Sequence, residues 1–221
     1  MKILITAVLS IAITLLITGC IYMSVTDVEN APYQVISSTQ TESEKSIEIR
    51  HYDSLVLVST PMAGDMDDSK SSPFSLLFDY ISGENTGSSE IAMTAPVLSD
   101  EKQGQKIPMT APVYMDGKTE NTDGIAMMSF VLPDEYTIET APKPTNSLVK
   151  LHEITDYHVA AITFDGRLSE ENVNKHLEIL QDWIKAEGHT QTGPYKSAGY
   201  NPPFTPPFLR RNEILIPIET K

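Results

Sequence analysis

Ile47-Glu48-Ile49-Arg50-His51-Tyr52 alternates apolar and polar residues without a break, and Leu55-Val56-Leu57-Val58 follows two residues later. A period of two marks a β-strand, because successive side chains leave the pleated backbone on opposite faces. Ile47, Ile49 and His51 fall on one face, with Glu48, Arg50 and Tyr52 on the other. A histidine thus shares the apolar side. Upstream, Tyr33-Gln34-Val35-Ile36 reads as a further strand ahead of a Ser/Thr/Glu-rich turn. Downstream, Ser72-Pro73 opens a helix with proline at its first position, apolar Phe74, Leu77, Phe78 and Ile81, and Gly83 as terminator.

Beyond that helix the chain carries a local duplication. Ile91-Ala92-Met93-Thr94-Ala95-Pro96-Val97 returns sixteen residues later as Ile107-Pro108-Met109-Thr110-Ala111-Pro112-Val113, with Asp100 and Asp116 following each copy. Proline donates no backbone hydrogen bond, so both copies belong at strand ends, bulges or edges. Met127 to Leu132 forms another strand, closed by Pro133. The second half then repeats the first in outline. Val149–Ile154 and Tyr157–Phe164 are strands, and Ser169 caps a helix with Glu170 and Glu171 in its first turn. Val173, Leu177, Leu180 and Ile184 make its buried stripe, Gly188 ends it, and Asn212 to Ile218 is the last strand. Two units of strand, strand, helix, strands close into one antiparallel sheet or barrel, because each amphipathic helix needs a sheet face to cover. The expected architecture is α+β, one domain with pseudo-two-fold symmetry.

The 221 residues are 40% hydrophobic and 21% charged, which describes a globular chain with ample length for a core. A formal charge of −14 repels phosphate backbones, so nucleic acid is not an expected partner. The single cysteine excludes an internal disulfide and a Cys-type zinc site. No G-x-S-x-G, H-E-x-x-H, G-x-x-x-x-G-K or G-x-G-x-x-G occurs, which removes the commonest hydrolase, zinc-protease and nucleotide readings. His152, His158, His176 and His189 show no metal-ligand spacing and read as structural or surface residues.

Residues 1–20 carry one charge, Lys2, ahead of an uncharged apolar run that ends Ile17-Thr18-Gly19-Cys20, the profile of a secretory signal. The ending resembles a bacterial lipobox, which implies a signal peptide over 1–19, a lipidated Cys20 and a membrane anchor. An uncleaved membrane anchor is the alternative. Cys20 to Ala31 then reads as a tether, and either reading exports residues 32–221. Ile21 after the cysteine resembles lipoproteins sorted to the outer membrane, which implies the cell envelope, on the periplasmic face of the outer membrane of a Gram-negative cell.

Ile47-Glu48-Ile49-Arg50-His51-Tyr52, Leu77-Phe78-Asp79-Tyr80-Ile81-Ser82-Gly83, the two Met-Thr-Ala-Pro-Val copies, Met128-Ser129-Phe130 and Pro206-Pro207-Phe208-Leu209-Arg210-Arg211-Asn212-Glu213 together resemble the SOUL haem-binding family, from about Tyr33 to Ile218. The resemblance implies a distorted antiparallel β-barrel with two flanking helices, and a capacity in some members to bind haem or another tetrapyrrole. It implies His51 as an axial ligand. Where a relative offers a first-helix arginine to the propionates, Ser71 aligns here, with Lys70 the nearest cation. A non-covalent haem site needs an axial donor and a flat apolar slot. His51 is the candidate donor, and Phe74, Phe78, Met93 and Met109 are candidate walls of an open recess. The same residues also read as a hydrogen-bonded strand histidine and ordinary core, and Arg210 and Arg211 as a salt bridge or loop clamp. The function expected is a membrane-tethered, non-catalytic binder of haem or a similar flat hydrophobe. The alternatives are an envelope interaction or structural lipoprotein with no small-molecule ligand, and a hydrolase of small molecules on the same fold.

Overall fold

The computed structural model describes residues 30–40, 46–62, 72–86, 104–117 and 126–220. The chain forms β1 (Gln34–Gln40), β2 (Ser46–Pro61), α1 (Pro73–Ser82), β3 (Asn85–Thr86), β4 (Val113–Asp116), β5 (Met127–Val131), β6 (Lys143–Pro144), β7 (Lys150–Phe164), α2 (Glu170–Glu187), β8 (Thr190–Gln191), β9 (Lys196–Gly199) and β10 (Asn212–Glu219). Six strands in the order β2-β5-β4-β9-β10-β7 form an antiparallel barrel, closed by pairing of β7 back onto β2. Closure leaves no edge among these six. β1 pairs with Ser46–His51 of β2, the stretch ahead of its pairing with β5, β8 adds beyond β10's pairing with β9, and β3 pairs with β6 apart from the barrel.

The two longest strands define the architecture. Each joins two stretches that the sequence reads as separate strands, because Asp53-Ser54 and Thr155-Asp156 are bends within continuous pairing from Ile47↔Ile162 to Ser59↔Lys150. Asp156 takes φ 51°, a left-handed conformation that aspartate tolerates better than most residues. The side-chain alternation reverses at these bends. Before the bend of β2, Ile47 and Ile49 face outward beneath α2; after it, Val56 and Val58 face outward beneath α1.

Both helices form where the sequence places them. Ser72 Oγ accepts from Ser75 N at 3.2 Å and Ser169 Oγ from Asn172 N at 3.4 Å, satisfying otherwise orphaned amides. Gly83 (φ 123°) and Gly188 (φ 74°) close them in backbone conformations that favour glycine. Leu77, Tyr80 and Ile81 of α1 pack on Val58 and Phe130. Val173, Leu180 and Ile184 of α2 pack on Ile162, Ile214 and Ile216. His176 joins this second layer, its ring stacked 4.2 Å from that of Phe164. A third cluster draws Tyr52, Leu55, Leu57, Tyr114, Val131, Val159, Ala161, Ala198 and Leu215 from all six barrel strands and fills the lumen.

One expectation shifts and another holds. β1 begins at Gln34, runs further than expected and is exposed along its length. Pro112 immediately precedes β4, at a strand end as its chemistry requires, while the first Met-Thr-Ala-Pro copy lies outside the described residues.

Candidate functional site

Adjacent residues of β2 build two different polar clusters. Arg50 points into the lumen and is 1% exposed. Its Nη1 donates to Glu213 Oε2 at 2.7 Å and its Nη2 to Oε1 at 3.0 Å, a bidentate pair. The fully buried Glu213 also accepts from Tyr200 Oη (2.7 Å), Thr163 Oγ1 (3.2 Å) and Arg211 Nη2 (2.6 Å). Tyr33 and Tyr200 lie under the guanidinium groups of Arg50 and Arg211, at 4.3 and 4.1 Å. Burial would raise the Glu213 carboxyl, but the hydrogen bonds and charges of Arg50 and Arg211 outweigh it and hold the group below its ordinary value. The tyrosine hydroxyls of the lumen, Tyr114 and Tyr200 among them, are pushed up by burial and stay neutral. Alternation alone assigned Arg50 and Tyr52 to the face opposite the apolar one; the structure buries both faces, because an outer helix and an inner lumen share this strand.

His51 lies on the outer face, near the bends of β2 and β7. Its ring stacks on that of His158 with centroids 4.3 Å apart and planes at 21°. The two histidines are direct cross-strand partners. His51 Nε2 lies 2.9 Å from Asp156 Oδ1, and His158 Nδ1 lies 3.6 Å from the same oxygen. On the other side of the ring, His51 Nδ1 is 3.4 Å from Asp53 Oδ1. The imidazoles are 21% and 28% exposed and Asp156 is 82% exposed, so solvent ligands reach the cluster.

The proposed slot walls stand elsewhere. Phe74 and Phe78 stack on each other, Phe74 meets the edge of Phe130, and Phe130 pairs with Val58. Val58 is seven residues along β2 from His51, about 23 Å of strand contour. Phe74, Phe78 and Met109 are exposed at 44%, 47% and 40%. The structure therefore unites the two phenylalanines but not with His51, and Met93, Lys70, Ser71 and Cys20 lie outside the described residues.

Among the described residues, the barrel lumen is not the expected open recess. Tyrosines and the Arg50–Glu213 pair fill the lumen, and two clefts that stand out among the described residues measure about 150 and 80 Å³. Both fall short of the roughly 300–1,000 Å³ of pockets for drug-sized ligands. The first is lined by Leu55, Val131 and Tyr136, the second by Leu76, Tyr80 and Val149, and neither includes His51.

The profile of the SOUL heme-binding protein family matches residues 28–103 and 98–217. The chain belongs to the SOUL family. Curated relatives named Heme-binding protein 2 include that of Homo sapiens, 29% identical over 170 residues covering 76% of this chain and 75% of the relative. The protein of that name in Mus musculus is 28% identical over 162 residues, covering 72% of each. Among solved structures, a hydrolase from Listeria innocua superposes with a TM-score of 0.51 at 13% identity, over 83% of this chain and 94% of that one, a likeness of fold alone. In this SOUL chain Arg211 completes the Glu213 network, and Arg210 clamps the preceding loop through Thr205 O at 2.7 Å and Pro203 O. Sequence reading missed His158 as a companion of His51, since a separation of 107 residues hides a cross-strand pair.

Proposed function

We propose that this SOUL protein is a membrane-tethered, non-catalytic binder of haem or a similar flat tetrapyrrole, held outside the barrel with His51 as axial donor. Residues 1–19 act as a lipoprotein signal peptide, Cys20–Ala31 as lipidated anchor and tether, and 32–221 as the binding domain, in the cell envelope. Family membership and the names of the human and mouse relatives support the ligand class. One observation carries the placement: His51 stands part-exposed on the outer face with Asp53 at 3.4 Å behind Nδ1, the backing that steadies a ligating imidazole, while the lumen is full. Bound haem would supply an iron centre open to axial ligation. The chain's part is to present Nε2 by exchanging its contact with the exposed Asp156 carboxylate. Phe74 and Phe78 offer a separate apolar platform for a flat guest, with Met109 also exposed.

The test is a haemin titration of the full chain in mild detergent, followed in the Soret region. A saturable one-to-one spectral change that His51→Ala alters and Phe78→Ser leaves in place is expected. Identical titrations of the wild type and His51→Ala would remove His51 from the site, and a change abolished by Phe78→Ser alone would move the guest to α1.

A further inference from the structure

We infer that His51, His158 and Asp156 form a binding site for a borderline-soft divalent transition cation, with Zn²⁺ as its type. The donors are two imidazoles and a carboxylate, whose ligating atoms all lie within 4.8 Å of one another. A tetrahedral Zn²⁺ with bonds of about 2.0–2.1 Å sets its ligand atoms about 3.3 Å apart. Asp156 Oδ1 already stands 2.9 Å from His51 Nε2 and 3.6 Å from His158 Nδ1, on either side of that spacing. To bind, the two imidazole nitrogens have to close within the span of 4.8 Å, and the rings, stacked with planes at 21°, have to turn about their side-chain bonds so that both lone pairs meet at the ion.

The support for these donors is independent of the donors themselves. His51 and His158 are fixed opposite each other on the two longest barrel strands, and Asp156, at the bend two residues before His158, brings its carboxylate to both rings. Behind His51, Asp53 Oδ1 lies 3.4 Å from Nδ1, and Gln34 Nε2 donates to Asp53 Oδ2 at 3.4 Å. A carboxylate behind a histidine fixes its tautomer and raises its basicity toward an ion on the far nitrogen. Mixed imidazole and carboxylate donors select transition ions over Mg²⁺ or Ca²⁺, which take oxygen ligands. The exposed edge of the cluster leaves the fourth position to water, and the net charge of −14 draws cations toward the chain. The site adds to the haem reading without resting on it: His158 has no part in that reading, Asp156 only gives up its contact with His51 there, and His51 serves one guest at a time.

The experiment is calorimetric titration of ZnCl₂ into the metal-stripped full chain, in mild detergent and carrying no polyhistidine tag, with MgCl₂ as contrast. One Zn²⁺ per chain at micromolar affinity is expected, with no matching heat from Mg²⁺. His158→Ala and Asp156→Asn each weaken binding at least tenfold, and Asp53→Asn, which touches no ion, by about tenfold. Thermal melts check folding, and the exposed Asp156→Asn decides should His158→Ala melt early. Absence of Zn²⁺ binding by the wild type, or affinity unchanged in Asp156→Asn, overturns the inference. Haemin titrations separate the two proposals: a normal Soret response of His158→Ala with its Zn²⁺ binding lost supports this site, while a wild type that binds Zn²⁺ but gives no haem response sinks the haem reading alone.

Discussion

Arg50 and His51 are neighbours on one strand and share a class of partner, carboxylates from distant parts of the chain, yet their surroundings give them opposite roles. Arg50 meets Glu213 inside a sealed barrel, where neither charge reaches water and each must have the other. His51 meets Asp156 and Asp53 on the outer surface, where water competes and an arriving ligand displaces a weak contact at little cost. The inner pair ties three strands and the segment just beyond β9 together through Arg50, Thr163, Glu213 and Tyr200. The outer cluster ties two and stays exchangeable. Burial, more than residue type, separates a structural ion pair from a site.

The largest expected effect comes from breaking the inner pair. Arg50→Met leaves a buried carboxylate without its bidentate partner and should cost about 3–5 kcal/mol, read from urea unfolding. Adding Glu213→Leu should restore much of that loss, and a double variant no more stable than the single would show that the charges were not acting as a pair. A pH series sharpens the same point. Because Glu213 in the folded chain lies below its ordinary 4.5, its contribution is full above that value and is lost as pH falls through the folded value. Glu213→Gln should therefore flatten the acid limb of the stability curve below about pH 4.5 relative to the wild type. His51→Ala should lower stability by less than about 1 kcal/mol, as for other exposed ion pairs, while altering the haemin spectrum. Asp53→Asn should be smallest, within about 0.5 kcal/mol in the same urea assay. A loss at His51 as large as that at Arg50 would erase the contrast between the two faces.

Much of the fold was legible because it rests on local rules. Ser72-Pro73 and Gly83, and Ser169 with Gly188, bound the two helices through capping and backbone conformation, which depend on a few adjacent residues. Proline chemistry placed Pro112 at a strand end. The joining of Ile47–Tyr52 to Leu55–Val58, and of Val149–Ile154 to Tyr157–Phe164, was not legible. A bend that keeps its cross-strand hydrogen bonds and a turn that abandons them look alike in a short polar dipeptide. The reading of Arg50 failed for a related reason: alternation reports which residues share a face but not whether the other face is closed off.

The amino-acid order by itself settled the two helices and their caps, the alternating stretches that make up the long strands, the acidic charge and the family to which the chain belongs, since each depends on residues close in sequence or on a pattern carried by the whole chain. Closure of the barrel decided the rest. Only when β7 returns to β2 does Arg50 find Glu213 and His51 find His158, because a partner more than a hundred positions away is selected by sheet register and enclosure, which no local pattern encodes.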